Sequence, residues 1–166
     1  MAKPTFARIG VVSEGTLRHE DLISAFAGEL DYWLKRLRLT RDQRKRFAEL
    51  VRDANNQAEV LESDRDFEHD HCDTGEIVSE LEDALQEIAP PYCYFGTLDG
   101  DGACFGFFIT CLGMGGDTDD LPKLDDLTDI TREHWGEDVL VVNDHGNVTC
   151  GHVDSRGRFK AYWRAV

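Results

Sequence analysis

The densest run of side chains able to ligate a metal is Asp66, Glu68, His69, Asp70, His71, Cys72 and Asp73. In an extended segment alternate residues share a face, so His69 and His71 would point the same way and Cys72 could complete part of a zinc site. No C-x-x-C accompanies them, and His134, His145 and His152 match no metal-site spacing. A solvated acidic loop is the competing reading. The sequence therefore assigns no metal and no other cofactor, and keeps His69, His71 and Cys72 only as weak candidates.

A second constellation is Asp99-Gly100-Asp101-Gly102, which follows an aromatic run. Aspartyl-phosphate phosphatases of the haloacid dehalogenase class place two aspartates this way, one attacking phosphorus and the other serving as acid and base. Here the pair leads into another strand-like run, Ala103 to Ile109, with no alternating α/β frame around it. A calcium loop counted from Asp99 needs a bidentate carboxylate at its twelfth place, which is Thr110. Asp and Gly are also what a hairpin turn requires, and that reading is preferred.

Nucleophilic catalysis finds little. Cys93, Cys104, Cys111 and Cys150 sit in aromatic or β-branched runs, where buried and inert thiols are the usual outcome. There is no G-x-S-x-G elbow, Walker loop or G-x-G-x-x-G fingerprint. The chain does not read as an enzyme.

Charge is more informative. The 166 residues carry 33 acidic and 18 basic side chains, a formal net charge of −15. That balance argues against unaided binding to nucleic-acid phosphates or to an anionic membrane. Residues 1–62 hold 11 basic and 10 acidic side chains, residues 63–144 hold 3 and 22, and residues 145–166 hold 4 and 1. The excess negative charge is thus confined to the middle block. The strongest basic cluster, Lys35, Arg36, Arg38, Arg41, Arg44, Lys45 and Arg46, lies outside it. Leu34 and Leu37 face inward in its register, so a solvated helical tip accounts for it.

The elements that carry these residues follow from periodicity. Leu22, Ile23, Phe26, Leu30, Trp33, Leu34 and Leu37 recur at three and four, which predicts a helix over 19–37. Thr40 to Gln43 has capping-box spacing, and the stripe Phe47, Leu50, Val51, Ala54, Ala58 and Leu61 predicts a second helix to about residue 62. So short a link between them predicts an antiparallel hairpin. A loop over 63–73 leads to a capping box at Asp73 to Glu76 and a third helix ending before Pro90 and Pro91. Strands are expected at 6–12, at 92–98 and 103–109 around the Asp-Gly turn, and at 139–142, 148–152 and 159–163. Residues 113–131 read as an acidic loop with one helical turn near Leu124.

Helices first and strands afterwards imply an α+β fold. The expectation is a single domain over 1–166, its helical part at about 18–89 and its sheet part at about 92–166. In it an N-terminal helical hairpin and a third helix pack on a mostly antiparallel sheet of about five strands. No apolar run approaches the ~20 residues that span a bilayer, and residues 1–6 lack a secretion-signal layout. Five cysteines cannot all pair within one chain. A soluble, cytoplasmic protein is expected.

Three strings, Gly15-Thr16-Leu17-Arg18-His19-Glu20-Asp21-Leu22, Ala89-Pro90-Pro91-Tyr92-Cys93-Tyr94-Phe95-Gly96 with Asp101-Gly102-Ala103, and Asn143-Asp144-His145-Gly146-Asn147-Val148-Thr149, give the chain its likeness. It resembles small acidic proteins of phages, plasmids and bacterial genomes. The resemblance supplies no catalytic residue. It implies a mobile-element setting, in which small acidic proteins are often inhibitors of host nucleases or CRISPR complexes.

Charge and resemblance together lead to one expectation: an acidic inhibitor that occupies a basic groove on a nucleic-acid-binding protein or nuclease complex, in the manner of a DNA mimic. It would touch neither nucleic acid nor membrane directly. The carboxylates expected to carry it are Asp64, Asp66, Glu68, Asp70, Glu80, Glu82, Asp83, Glu87, Asp117, Asp119, Asp120, Asp125 and Asp126. An immunity protein or antitoxin would look the same in sequence. A metal-dependent hydrolase built on residues 66–73 or on Asp99 and Asp101 is the alternative from another class.

Overall fold

The computed structural model describes residues 4–63, 71–110 and 118–165, with no statement on the side chains of residues 62, 63 and 71–73. It is an α+β protein of three helices and two sheets. The chain divides into two compact units. The first comprises Met1–Ala89 and Phe95–Phe108, the second Pro90–Tyr94 and Ile109–Val166.

The first unit is built by apolar periodicity. Helix α1 spans His19–Arg36 and buries Leu22, Ile23, Phe26, Ala27, Leu30 and Trp33 along one stripe. Glu20 and Asp21 sit in its first turn and Lys35 and Arg36 in its last, as the helix dipole favours. Helix α2, Arg41–Ser63, opens with a reciprocal cap: the Gln43 amide donates to Thr40 Oγ1 at 3.2 Å, and the Thr40 amide donates to Gln43 Oε1 at 3.1 Å. Helix α3 spans His71–Glu87. Residues 71–73 are helical, so Asp73 lies inside the helix and is not its cap. Both α2 and α3 pack against α1.

Strand β1, Gly10–Glu14, pairs antiparallel with β3, Asp101–Ile109, and β2, Cys93–Leu98, completes a three-stranded sheet in the order β1-β3-β2. The first strand begins four residues later and ends two residues later than the spacing predicts, because Ser13 and Glu14 stay paired with Phe105 and Cys104 after a bulge. Asp99 and Gly100 form the two-residue turn between β2 and β3, with Gly100 at φ +83°. The Asp-Gly repeat is thus a hairpin turn. Phe26, Phe95, Phe105 and Phe107 stack edge to face in this unit's core, with centroids 5.0–5.4 Å apart.

The second unit carries a four-stranded sheet in the order β4-β5-β6-β7. Its strands are β4, Lys123–Leu124, β5, Asp138–Val142, β6, Val148–Val153, and β7, Phe159–Ala165. The last three form the antiparallel meander that their close turns predict. Two readings are corrected here. The strands make two sheets of three and four, not one of about five, since β1 finds its partner in β3, some ninety residues along the chain. The expected helical turn at Leu124 is instead a two-residue strand running parallel to β5, and the helical turns follow it, as 3-10 helices at Leu127–Asp129 and Arg132–His134. Buried Val139, Leu140, Val141, Cys150, Val153 and Trp163 form the core of this unit.

Candidate functional site

The meander register brings a carboxylate and an imidazole together. Asp138 opens β5 and lies opposite His152 in β6, so both side chains leave the same face of the sheet. Their Oδ1 and Nδ1 atoms are 2.7 Å apart. A carboxylate only accepts, so Nδ1 carries the proton. Among the described residues nothing bonds the His152 Nε2 atom. The His152 side chain is 39% exposed and that of Asp138 only 22%, which leaves the imidazole as the more accessible member of the pair.

Two tyrosines reach the same carboxylate. Between Cys150 and Gly151 the register slips, from Cys150 opposite Trp163 to Gly151 opposite Ala161, so Tyr162 is the extra residue of a β-bulge. Its hydroxyl donates to Asp138 Oδ1 at 3.0 Å. Gly151 permits this geometry, because a Cβ there would stand 2.5 Å from the Lys160 carbonyl oxygen. Tyr92 donates to Asp138 Oδ2 at 2.7 Å from the segment before β2. It sits at φ +63°, the one non-glycine residue in left-handed backbone among the described residues. That conformation costs roughly 1–2 kcal/mol for an L-residue. The segment is held by the Trp163 indole donating to the Pro91 carbonyl at 2.8 Å and by the Thr110 amide donating to the Tyr92 carbonyl at 3.0 Å.

Burial, and then the hydrogen bond to Asp138, pushes the Tyr162 hydroxyl up to about 12 and raises Tyr92 as well. Both hydroxyls stay protonated at neutral pH and serve as fixed donors. Burial likewise holds Cys93 and Cys150 each at about 12, and Cys93, Cys104 and Cys150 are free and buried. None of the three is poised as a thiolate. Cys111 lies outside the described residues.

The four residues line an open groove of about 610 Å³ within the second unit. Leu121 and Pro122 give it an apolar wall, while Asp120 and Glu137 add carboxylates. Glu137 is placed by the turn at Gly136, whose amide donates to the Val153 carbonyl at 2.8 Å, and by its own carbonyl accepting from the Val153 amide at 2.9 Å.

Of the carboxylates expected to bind a partner, Asp64, Asp66, Glu68, Asp70 and Asp117 lie outside the described residues, as do His69 and the side chains of His71 and Cys72. On α3, Glu80, Asp83 and Glu87 are exposed and Glu82 is half-buried. Burial and then the neighbouring Asp83 charge raise Glu82. Glu87 is bridged by Arg46 at 2.6 Å, so this one member is partly neutralised by the basic tip. In the second unit Asp120, Asp125 and Asp126 are exposed and Asp119 is half-buried. Asp126 caps a 3-10 helix and accepts from the Thr128 amide at 2.8 Å, which holds its carboxyl below the usual range.

Among the described residues no group of three or more His, Cys, Asp or Glu side chains could hold a metal ion. His134 instead accepts from the Thr131 amide at 3.0 Å, and His145 stands beside Asp144. Compared with family models, curated proteins and solved structures, the chain matches none. Sequence reasoning passed over Asp138, Tyr92 and Tyr162. One signal was present: a hairpin closed by Asn143 to Asn147 pairs Val142 with Val148, and counting outward pairs Asp138 with His152.

Proposed function

We propose that this protein is an acidic binding protein that occupies a basic surface on a protein partner, of the class whose basic surface otherwise grips nucleic acid. The observation that carries the reading is local to the second unit. Residues 119–138 hold eight carboxylates against two cations, Lys123 and Arg132. Asp120, Asp125, Asp129, Glu133 and Glu137 are exposed, and among the described residues none of these five forms an ion pair. Arg132 is drawn to the Trp135 ring, 5.5 Å from its centroid, and does not neutralise the neighbouring acids. Self-repulsion among unpaired surface carboxylates destabilises a fold. The field they set up is the kind that steers a cationic surface into register and competes with phosphates for its Lys and Arg side chains. On α3, Glu80 and Asp83 extend the same chemistry to the first unit.

The direct test is capture of a nucleic-acid-binding protein or nuclease complex on the immobilised full chain, compared with the variant Glu80→Lys, Asp83→Lys, Asp125→Lys, Glu133→Lys. The reading expects wild-type protein to retain the partner and to displace labelled duplex DNA from it, and the variant to do neither. Capture undiminished by the four reversals overturns it.

A further inference from the structure

We infer, resting on the proposed function and deepening it, that Trp135 anchors the second unit on its basic partner: an exposed ring that seats against apolar surface lying among the partner's Lys and Arg side chains.

The fold treats its three tryptophans differently. Trp33 is buried and donates its indole N–H to Glu29 Oε1 at 2.5 Å, and Trp163 is buried and donates to the Pro91 carbonyl at 2.8 Å. Trp135 is 40% exposed, and among the described residues its indole N–H meets no acceptor. Apolar surface left in water costs free energy in proportion to its area. A large ring and a donor that the fold leaves unused are what the core of a protein contact recruits.

The ring also stands where the charge is. Among the described residues of the second unit the exposed large apolar side chains are Leu127 and Trp135, and both lie inside the acidic stretch 119–138. Glu133 and Glu137 flank Trp135 at two residues on either side, and both are exposed and without an ion pair among the described residues. Apolar side chains set among charged ones are the composition of a protein contact. Solubility alone is served by the carboxylates and opposed by the ring.

The carboxylates fix the sign of the occupant. They repel nucleic-acid phosphates and acidic proteins, while the face of an indole attracts cations. The Arg132 guanidinium already stands 5.5 Å from the ring centroid. A basic protein surface meets both demands, because its Lys and Arg heads suit the carboxylates and their aliphatic stems suit the ring.

Trp135 is held in place before any partner arrives. Its amide donates to the Arg132 carbonyl at 3.3 Å, and the following amide, of Gly136, donates to the Val153 carbonyl at 2.8 Å. The indole lies against the turn between β6 and β7, where Gly157 has φ +77° and a Cβ would stand 2.7 Å from the indole Nε1. A side chain fixed in this way loses little freedom on binding. The carboxylates therefore govern how fast the partner arrives and how salt affects it, and Trp135 governs how long it stays.

The test uses the full chain and two labelled peptides, four repeats of Arg-Leu and four repeats of Arg-Gly, followed by anisotropy and by tryptophan emission. The Arg-Leu peptide should bind about tenfold more tightly than the Arg-Gly peptide and move the emission to shorter wavelength, because Trp33 and Trp163 are already buried and Trp135 alone can lose water. Trp135→Ala should weaken Arg-Leu binding about tenfold, erase the preference over Arg-Gly, and leave the steepness of the salt dependence unchanged. Trp135→Phe, which keeps an aromatic ring beside Gly157, should lose less than about threefold. The pair Glu133→Gln, Glu137→Gln should instead flatten the salt dependence and keep the preference. No binding or no preference in the wild type, an emission that stays put on binding, or a Trp135→Ala variant that binds as the wild type does would each overturn the inference. The first two are read on the wild-type chain, so they decide even where the alanine variant does not fold. Failure here with partner capture still abolished by the four reversals removes the anchor and leaves the proposed function standing. Peptide binding through Trp135 without any partner capture does the reverse.

Discussion

Asp138 and His152 face each other across β5 and β6, and their side chains meet Oδ1 to Nδ1 at 2.7 Å. The pair is one cross-strand position of a meander, yet two tyrosine hydroxyls from separate parts of the chain converge on the same carboxylate. One acceptor thereby fixes a histidine ring, a bulge and a left-handed residue together. Hydrogen bonds to a charged group contribute about 1.5–3 kcal/mol each, and a network of them is not additive.

Asp138→Asn should therefore destabilise the fold by roughly 2 kcal/mol or more, since the amide keeps one acceptor oxygen but turns its NH2 toward donors at the other position and loses the charge that strengthens all three bonds. Urea unfolding measures this, with Glu137→Gln, an exposed neighbour, expected to change stability by less than about 0.5 kcal/mol. Equal stabilities for the two variants would show that the Asp138 network contributes little.

The Tyr162 hydroxyl sits at about 12 in the folded protein against an ordinary 10.0. A folded value above the unfolded one gives stability that is fully present below pH 10 and lost as pH rises through 12. The difference in tyrosinate absorbance between wild type and Tyr162→Phe should accordingly appear near pH 12. In Asp138→Asn, Tyr162 should ionise at lower pH, because the Asp138 charge that helps to raise it is gone.

Asp154 works in the opposite direction. Hydrogen bonds from the Arg158 amide, the Arg158 side chain and the Arg156 amide lower its carboxyl to about 2, from 3.8. This contribution is complete above pH 3.8 and disappears as pH falls through 2. Carboxyl carbon shifts should show Asp154 still ionised at pH 3, and the β6–β7 turn should loosen only below that.

Gly151→Ala tests the bulge. The added methyl would meet the Lys160 carbonyl oxygen at 2.5 Å and Ala161 Cα at 2.8 Å, both backbone. A loss of about 1–3 kcal/mol is expected. The Tyr162 ring signals should shift as the bulge moves, and an alanine variant with unchanged stability and spectrum would show that the strands can part there without cost.

How much of this was legible depends on the range of the interaction. Leu22 to Leu37 spell out α1, and Thr40 with Gln43 spells out the start of α2, because the determining contacts lie within four residues. Asp99 and Gly100 announce their turn for the same reason. The pairing of Val11 with Gly106 is set by packing far along the chain, so one sheet was expected where there are two. Lys123 and Leu124 are too short a strand to leave a period. The Asp138–His152 pair could have been counted from its hairpin, but the Tyr162 bulge could not. A one-residue slip leaves the alternation of β7 ambiguous, and it is the slip that carries the hydroxyl to Asp138.

The salt dependence of partner affinity tests the central claim most directly. The wild-type association constant should fall steeply as salt concentration rises, as expected when exposed charges at a contact are screened within a Debye length of about 10 Å at 0.1 M. The variant Glu80→Lys, Asp83→Lys, Asp125→Lys, Glu133→Lys should bind more weakly and with a shallower slope. An affinity that ignores salt, or a variant that binds as tightly as the wild type with the same slope, would contradict the account.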